Sequence, residues 1–289
     1  MYKTAFAKRG LSVLMSLLLA LGCCVIAAAA EDAPHYVVLG DSIAFGSGLS
    51  NPRQAVYGRI VADTNGYAYD NFAVPGHTTQ NLLQRMQNEQ VKTAIADADI
   101  ISISIGGNNF LLGNLNALLY DAIVKEDYTR FDEIADRFYD DLQQIIETIR
   151  QLNPDAAILL QTIYNPQTGY VGEVYQQGAN RFNDLFRQYA AEHPEGILLV
   201  DVAQVLTDSD RDFAEDRIHP SAVGNEKIAR AVLQTLFDNG LGTQTTPVIA
   251  EAGRDMHGTG AFTWFVQFYG GLFHLLSVVR HFFISVFAR

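Results

Sequence analysis

The chain has 289 residues and a formal net charge of -12, with 32 acidic against 20 basic side chains. That length holds one large domain with terminal extensions. An acidic balance without a basic patch excludes a nucleic-acid partner, because phosphate binding depends on clustered Lys and Arg.

Lys3, Lys8 and Arg9 precede the apolar run Leu11 to Ile26, which passes into Ala27 to Ala30. A basic start, an apolar middle and small residues for cleavage read as a secretory signal over residues 1–30, and place the mature protein outside the cytoplasm. An uncleaved anchor is the alternative. Lipid attachment at Cys23 is a weaker one, since bulky Leu21 stands where a small residue is preferred. Cys23 and Cys24 are the only cysteines, so cleavage after Ala30 removes every thiol and with it disulfide, thiol and cysteine–metal chemistry.

From His35 onward, short branched apolar runs alternate with helix-like stretches, the pattern of β-α units around a parallel sheet. Strands are expected at Tyr36 to Leu39, Ala68 to Phe72, Ile100 to Ile105, Ala157 to Ile163 and Ile197 to Val202, with both faces covered by helices. Helices are expected at Thr79 to Asn88, Arg130 to Leu152, Val174 to Glu192 and Ala222 to Asn239. Gly240 is placed to stop the last of them as a left-handed cap. The domain thus spans residues 31–240, and the Gly- and Thr-rich residues 241–260 read as a linker.

The first strand ends in Gly40-Asp41-Ser42, which puts Ser42 where the chain leaves the sheet. In open α/β sheets that edge is where ligands bind. Ser and Asp are also favoured helix N-caps, so the tripeptide alone does not decide between nucleophile and cap. The decisive addition is Asp216-Arg217-Ile218-His219-Pro220, just before the last domain helix. A serine hydroxyl needs a base near neutral pH and imidazole titrates in the useful range. Asp216, three residues earlier, is close enough on a tight turn to orient the ring. His35, His77, His193, His257, His274 and His281 lack an acid at comparable spacing after a strand end. Acyl transfer also needs donors for an oxyanion. Two further strand exits offer them: the turn containing Gly76-His77, where a glycine permits close backbone approach, and Gly106-Gly107-Asn108-Asn109, with a side-chain amide. Each also suits an ordinary β-α turn.

These four segments, in this order, resemble the blocks of the SGNH, or GDSL, hydrolase family. The resemblance covers essentially the whole domain and extends into His219-Pro220-Ser221-Ala222-Val223-Gly224. It implies a flavodoxin-like three-layer α/β/α sandwich with a five-stranded parallel sheet. It also implies hydrolysis of esters or thioesters by Ser42, Asp216 and His219, with an oxyanion hole from the Ser42 and Gly76 N–H groups and the Asn108 amide. One position departs from the family pattern: Asn109 stands where the asparagine block carries an aspartate, which bears on loop geometry and rate. Gly-x-Ser-x-Gly, phosphate-loop and His-Glu-x-x-His motifs are absent from the sequence, so no cofactor or metal is expected.

Residues 262–289 are strongly apolar and carry no acid. Thr263, Gln267, Gly271, His274, Ser277, His281 and Ser285 recur every three or four residues, so a helix over 261–289 gathers them into one narrow polar stripe. Phe262 to Val279 spans roughly 27 Å as a helix against a hydrocarbon core of about 30 Å. With Gly270-Gly271 as a break, the expectation is a helix lying in a membrane interface, the alternatives being a bilayer span, a groove of its own domain or a second copy. Taken together, the sequence points to a secreted or surface-tethered esterase or lipase acting on acyl lipids such as lysophospholipids. A carbohydrate O-deacetylase and a catalytically impaired membrane-surface protein are the alternatives.

Overall fold

The computed structural model describes residues 33–111, 115–258 and 260–287; the expected signal segment lies outside them. In chain order the elements are β1 (His35–Gly40), α1 (Ser42–Phe45), α2 (Pro52–Ala55), α3 (Tyr57–Asn65), β2 (Ala68–Asn71), α4 (Thr79–Arg85), α5 (Glu89–Ala96), β3 (Ile100–Ser104), α6 (Gly107–Leu111) and α7 (Leu115–Tyr120). A π-helical turn, Asp121–Lys125, follows. The second half holds α8 (Thr129–Leu152), β4 (Ala157–Gln161), α9 (Gly169–Glu192), β5 (Ile197–Val200), α10 (Val202–Val205), α11 (Ala222–Asp238) and α12 (Ala261–Phe287).

All five strands are parallel, in the order β2-β1-β3-β4-β5. This is the flavodoxin-like order, whose switch point lies between β1 and β3. Val37, Leu39, Ile101 and Ile103 point to one face, where Met86, Phe138, Leu142, Phe182 and Phe186 cover them. Tyr36, Val38 and Ile100 point to the other, against Ile60, Val61, Ile228, Val232 and Leu236. The alternation follows from the two-residue period of a strand, and two helical layers make the sandwich. In α8 the buried residues Phe131, Ile134, Phe138, Leu142, Ile145 and Ile149 recur at three- and four-residue steps and form one apolar stripe.

The strands and four expected helices stand where the sequence placed them, to within a few residues at most ends. The exception in character is β2, which is exposed and half-buried by turns. It is one of the two edge strands, and Asp70 and Asn71 are tolerated there, so the expectation of two covered faces does not apply to it. Helices α3 and α5, of nine and eight residues, lie outside the stretches expected to be helical. Gly240, at φ 71°, does follow α11 in the left-handed conformation.

The stretch expected to be a linker is laid along the domain. Met256 N–H donates to Gly48 O at 2.8 Å, Asn51 Nδ2 to Ala252 O at 3.1 Å, and Asp255 Oδ1 accepts from the N–H of Ala222, the first residue of α11. From there the chain enters α12, which packs on α7, the π turn and α9.

Candidate active site

Gly40 ends β1 at φ 143°, and a Cβ there would come within 2.1 Å of Ser104 O. Only glycine lets β1 and β3 run this close before they diverge. The Asp41 N–H then donates to Ser104 O, and the Asp41 carboxylate caps α1 by accepting the Ile43 N–H at 3.0 Å. The cap therefore belongs to Asp41, and Ser42 is the first residue of the helix. Of the two roles left open for the tripeptide, the cap is taken by Asp41 and not by Ser42.

Asp216 and His219 sit on a hairpin closed by the Phe213–Pro220 bridge and by Ala214 N–H donating to His219 O at 2.9 Å. Asp216 Oδ2 meets His219 Nδ1 at 2.6 Å, while its Oδ1 accepts the N–H groups of Ile218 and His219 at 2.9 and 3.0 Å. Partial burial opposes ionisation of Asp216, but these bonds outweigh it and hold its carboxyl below the usual carboxylate range. The imidazole is thereby oriented through Nδ1, and Nε2 is the nitrogen left for chemistry. Tyr164 OH, on the loop that leaves β4, donates to Ile218 O at 2.8 Å and ties the hairpin to that loop.

Ser42, Asn108, Asp216 and His219 line one cavity of about 400 Å3, within the roughly 300–1,000 Å3 of small-molecule sites. The cavity walls are largely apolar and include Ile43, Leu111, Ile163, Tyr164, Tyr175 and Phe262. No hydrogen bond joins Ser42 to His219 among the described residues, which is common in structures without substrate. Asp41, fully buried behind Ser42, is pushed up to about 7 by desolvation, against the bond from Ile43 and the attraction of His219.

Gly76 does not line the cavity. It occupies the turn after β2 at φ 81°, with open space where a Cβ would stand, so glycine is required there for backbone conformation. Asn108 Nδ2 donates to His77 O at 3.0 Å, tying that turn to the cavity wall. The N–H groups of Ser42 and Gly76 have no acceptor among the described residues. Asn109 lies behind this wall with its side chain bonded to Thr79.

Carboxylates also partner His35 (Asp70, 3.1 Å), His257 (Glu215, 2.8 Å) and His281 (Glu126, 2.9 Å). These contacts join residues far apart in sequence, and none of these histidines lines the cavity. Sequence reasoning missed Tyr164, Tyr175 and Phe262 as cavity walls. The exit of β4 was a usable signal for Tyr164, and no local pattern marks the other two.

Thr263, Gln267 and His274 of the polar stripe of α12 meet the domain. Thr263 Oγ1 donates to Asp216 O at 2.7 Å, Gln267 Nε2 to Gln167 Oε1 at 3.1 Å, and His274 stacks on Tyr170 at 3.5 Å. Trp264, Phe268, Leu275 and Phe282 point away, more than half exposed.

The sequence model of the GDSL-like Lipase/Acylhydrolase family matches residues 38–227. "Uncharacterized protein YpmR" of Bacillus subtilis (strain 168) is 26% identical over 225 residues, 72% of this chain and 84% of that one. The lipase Lip_vut3 from a goat rumen metagenome superposes with a TM-score of 0.59 at 22% identity, covering 73% of this chain and 99% of its own. Phospholipase A1 from Streptomyces albidoflavus NA297 gives 0.56 at 18%, covering 70% and 99%. The family 3 carbohydrate esterase of Clostridium thermocellum gives 0.52 at 20%, covering 73% and 100%. At these identities the structures share the fold, and α12 falls outside the family match.

Proposed function

The chain belongs to the GDSL-like Lipase/Acylhydrolase family, and from that membership we propose that it is an extracytoplasmic serine esterase that hydrolyses carboxylic esters of acyl lipids. The observation that carries this reading is the 2.6 Å Asp216–His219 pair in the same apolar-walled cavity as Ser42.

In this mechanism His219 Nε2 takes the Ser42 proton as Oγ attacks the ester carbonyl. Asp216 keeps the other ring nitrogen protonated and stabilises the imidazolium. The tetrahedral oxyanion is received by the Ser42 N–H and by Asn108 Nδ2 on the cavity wall, and one such donor is worth about 3–4 kcal/mol where it has been removed elsewhere. The imidazolium returns its proton to the departing alcohol. Water, deprotonated by the same imidazole, then hydrolyses acyl-Ser42 and releases the acid.

A lipid rather than a carbohydrate ester is supported by the apolar cavity walls and by α12. The segment Ala261–Ser285 is long and apolar enough to cross a membrane. Four residues of its polar stripe, Thr263, Gln267, His274 and His281, meet the domain. That arrangement supports a helix lying on a lipid surface with its apolar side outward.

The test is hydrolysis of p-nitrophenyl acyl esters from acetyl to dodecanoyl by the mature protein beside Ser42→Ala and His219→Ala. Loss of turnover in both folded variants is expected, with preference for longer acyl groups. Turnover surviving in either variant defeats the triad, and acetyl-only activity moves the reading to an O-deacetylase.

A further inference from the structure

The first turns of α12 do more than cover the domain. Gly260, Ala261 and Phe262 form part of the cavity that holds Ser42 and His219. Leu111, Tyr175 and Phe262 also bound a second, smaller apolar void of about 20 Å3, closed further in by Phe131, Val171 and Val266. The two voids therefore share a wall of three side chains, and the inner one lies between α6, α9 and α12. Val266 is buried at 3% exposure, whereas Phe262 is 41% exposed.

The helix is seated firmly enough to be a fixed wall. Thr263 Oγ1 is bonded to Asp216 O, Gln267 Nε2 reaches Thr168 O at 3.2 Å, and Gly270 lies so near Val171 that a Cβ would come within 2.1 Å of Val171 Cγ2. One side of the substrate cavity is thus built from a helix beyond the family match at residues 38–227.

We propose that the acyl chain of the substrate runs from Ser42 past Leu111 and Tyr175 and ends beneath α12, with Phe262 at the passage and Val266 as the floor that sets acyl length. This rests on the esterase reading for its substrate and deepens it to esters of medium and long acyl chains. The small inner void opens by rotation of the exposed Phe262 side chain. Each methylene then buried there contributes roughly fourfold in affinity.

The experiment uses the full mature chain. The ratio of kcat/KM for p-nitrophenyl dodecanoate to that for the acetate is measured in the parent, in Val266→Trp, which fills the floor, and in Phe262→Ala, whose exposed site keeps folding out of the question. The ratio is expected to fall at least tenfold in Val266→Trp and to rise about threefold in Phe262→Ala, which removes the side chain that closes the passage. In parallel, dodecanoic acid is titrated calorimetrically into Ser42→Ala, with and without Val266→Trp, and the second change is expected to weaken binding at least tenfold. An unchanged ratio in both variants, or dodecanoic acid that fails to bind or binds equally to both proteins, overturns the subsite while leaving the esterase intact. Binding that Val266→Trp weakens, in a parent that turns over no ester, upholds the subsite and defeats the esterase reading.

Discussion

Asn109 and Thr79 hold each other by two bonds: Asn109 Oδ1 accepts the Thr79 N–H at 3.2 Å, and Asn109 Nδ2 donates to Thr79 Oγ1 at 2.7 Å. The Thr79 hydroxyl donates its hydrogen bond to the buried carboxylate of Asp141 on α8, which also accepts from Gln80 Nε2. An aspartate at 109 would face a hydroxyl whose single proton is already committed. The acid that the family pattern carries in this loop is matched here by an amide in the loop and an acid behind it. Asn109→Asp alone is expected to lower unfolding free energy by about 1–3 kcal/mol, as one buried acceptor loses its donor. Asp141→Asn added to it should recover most of that loss. Urea unfolding of the two single variants and the double closes the cycle, and additive losses would show that the two side chains are not coupled.

Removal of the single side-chain donor by Asn108→Ala is expected to reduce kcat roughly 100- to 1,000-fold with a smaller change in KM, because in the proposed mechanism the amide acts chiefly on the developing oxyanion. Asp216→Asn, which retains size but not charge, should cost up to about 10,000-fold. Steady-state kinetics on a soluble short ester check both, and a loss confined to KM for Asn108→Ala would assign it to substrate binding.

Asp41 gives a stability signature with a defined sign. Its carboxyl sits at about 7 when folded and near 3.8 when not, so between these values the folded state binds more protons. Stability therefore falls as pH rises through that window, because burying the charged form is unfavourable. Asp41→Asn keeps the cap acceptor and removes the charge. Its Tm relative to the parent is expected to climb from pH 4.5 to pH 8, measured by calorimetry, and a pH-independent difference would contradict the assignment.

Arg217 links Asp216 to His219 with φ at 57°. Left-handed backbone costs a side-chain-bearing residue roughly 1–2 kcal/mol, and a β-branched one is worst placed there. The Arg217 bonds to Ser209 O and Asp210 are exposed and contribute little. Arg217→Gly is therefore expected to be more stable than Arg217→Val by about that amount in urea unfolding. Equal stability would mean that the hairpin relaxes out of the left-handed region.

Trp264 and Phe268 stack on each other at 5.5 Å on the outward side of α12. Changing both to Glu should leave the fold and soluble-ester turnover in place but abolish flotation with phosphatidylcholine vesicles. Flotation retained by the double variant would remove this face from the membrane reading, and loss of a dimer in light scattering would assign it to a second copy.

The sequence by itself determined the β-α order, the strand exits carrying Ser42 and Asn108, and the Asp216–His219 turn. Those features are local: a strand period, a glycine at a strand end, and a three-residue spacing that places a carboxylate beside an imidazole. It also identified the polar stripe of α12, because helical periodicity is a property of the segment alone. Only the tertiary structure decided which side of that helix is covered. Thr263 finds Asp216, 47 residues away, and Gln267 finds Gln167, 100 residues away. The same holds for the pairing of Thr79 with Asp141, and for the bonds that hold residues 241–260 to the loop at Gly48. Such partners are chosen by packing between distant segments, where an unpaired buried polar group is costly and no local pattern records which group will satisfy it.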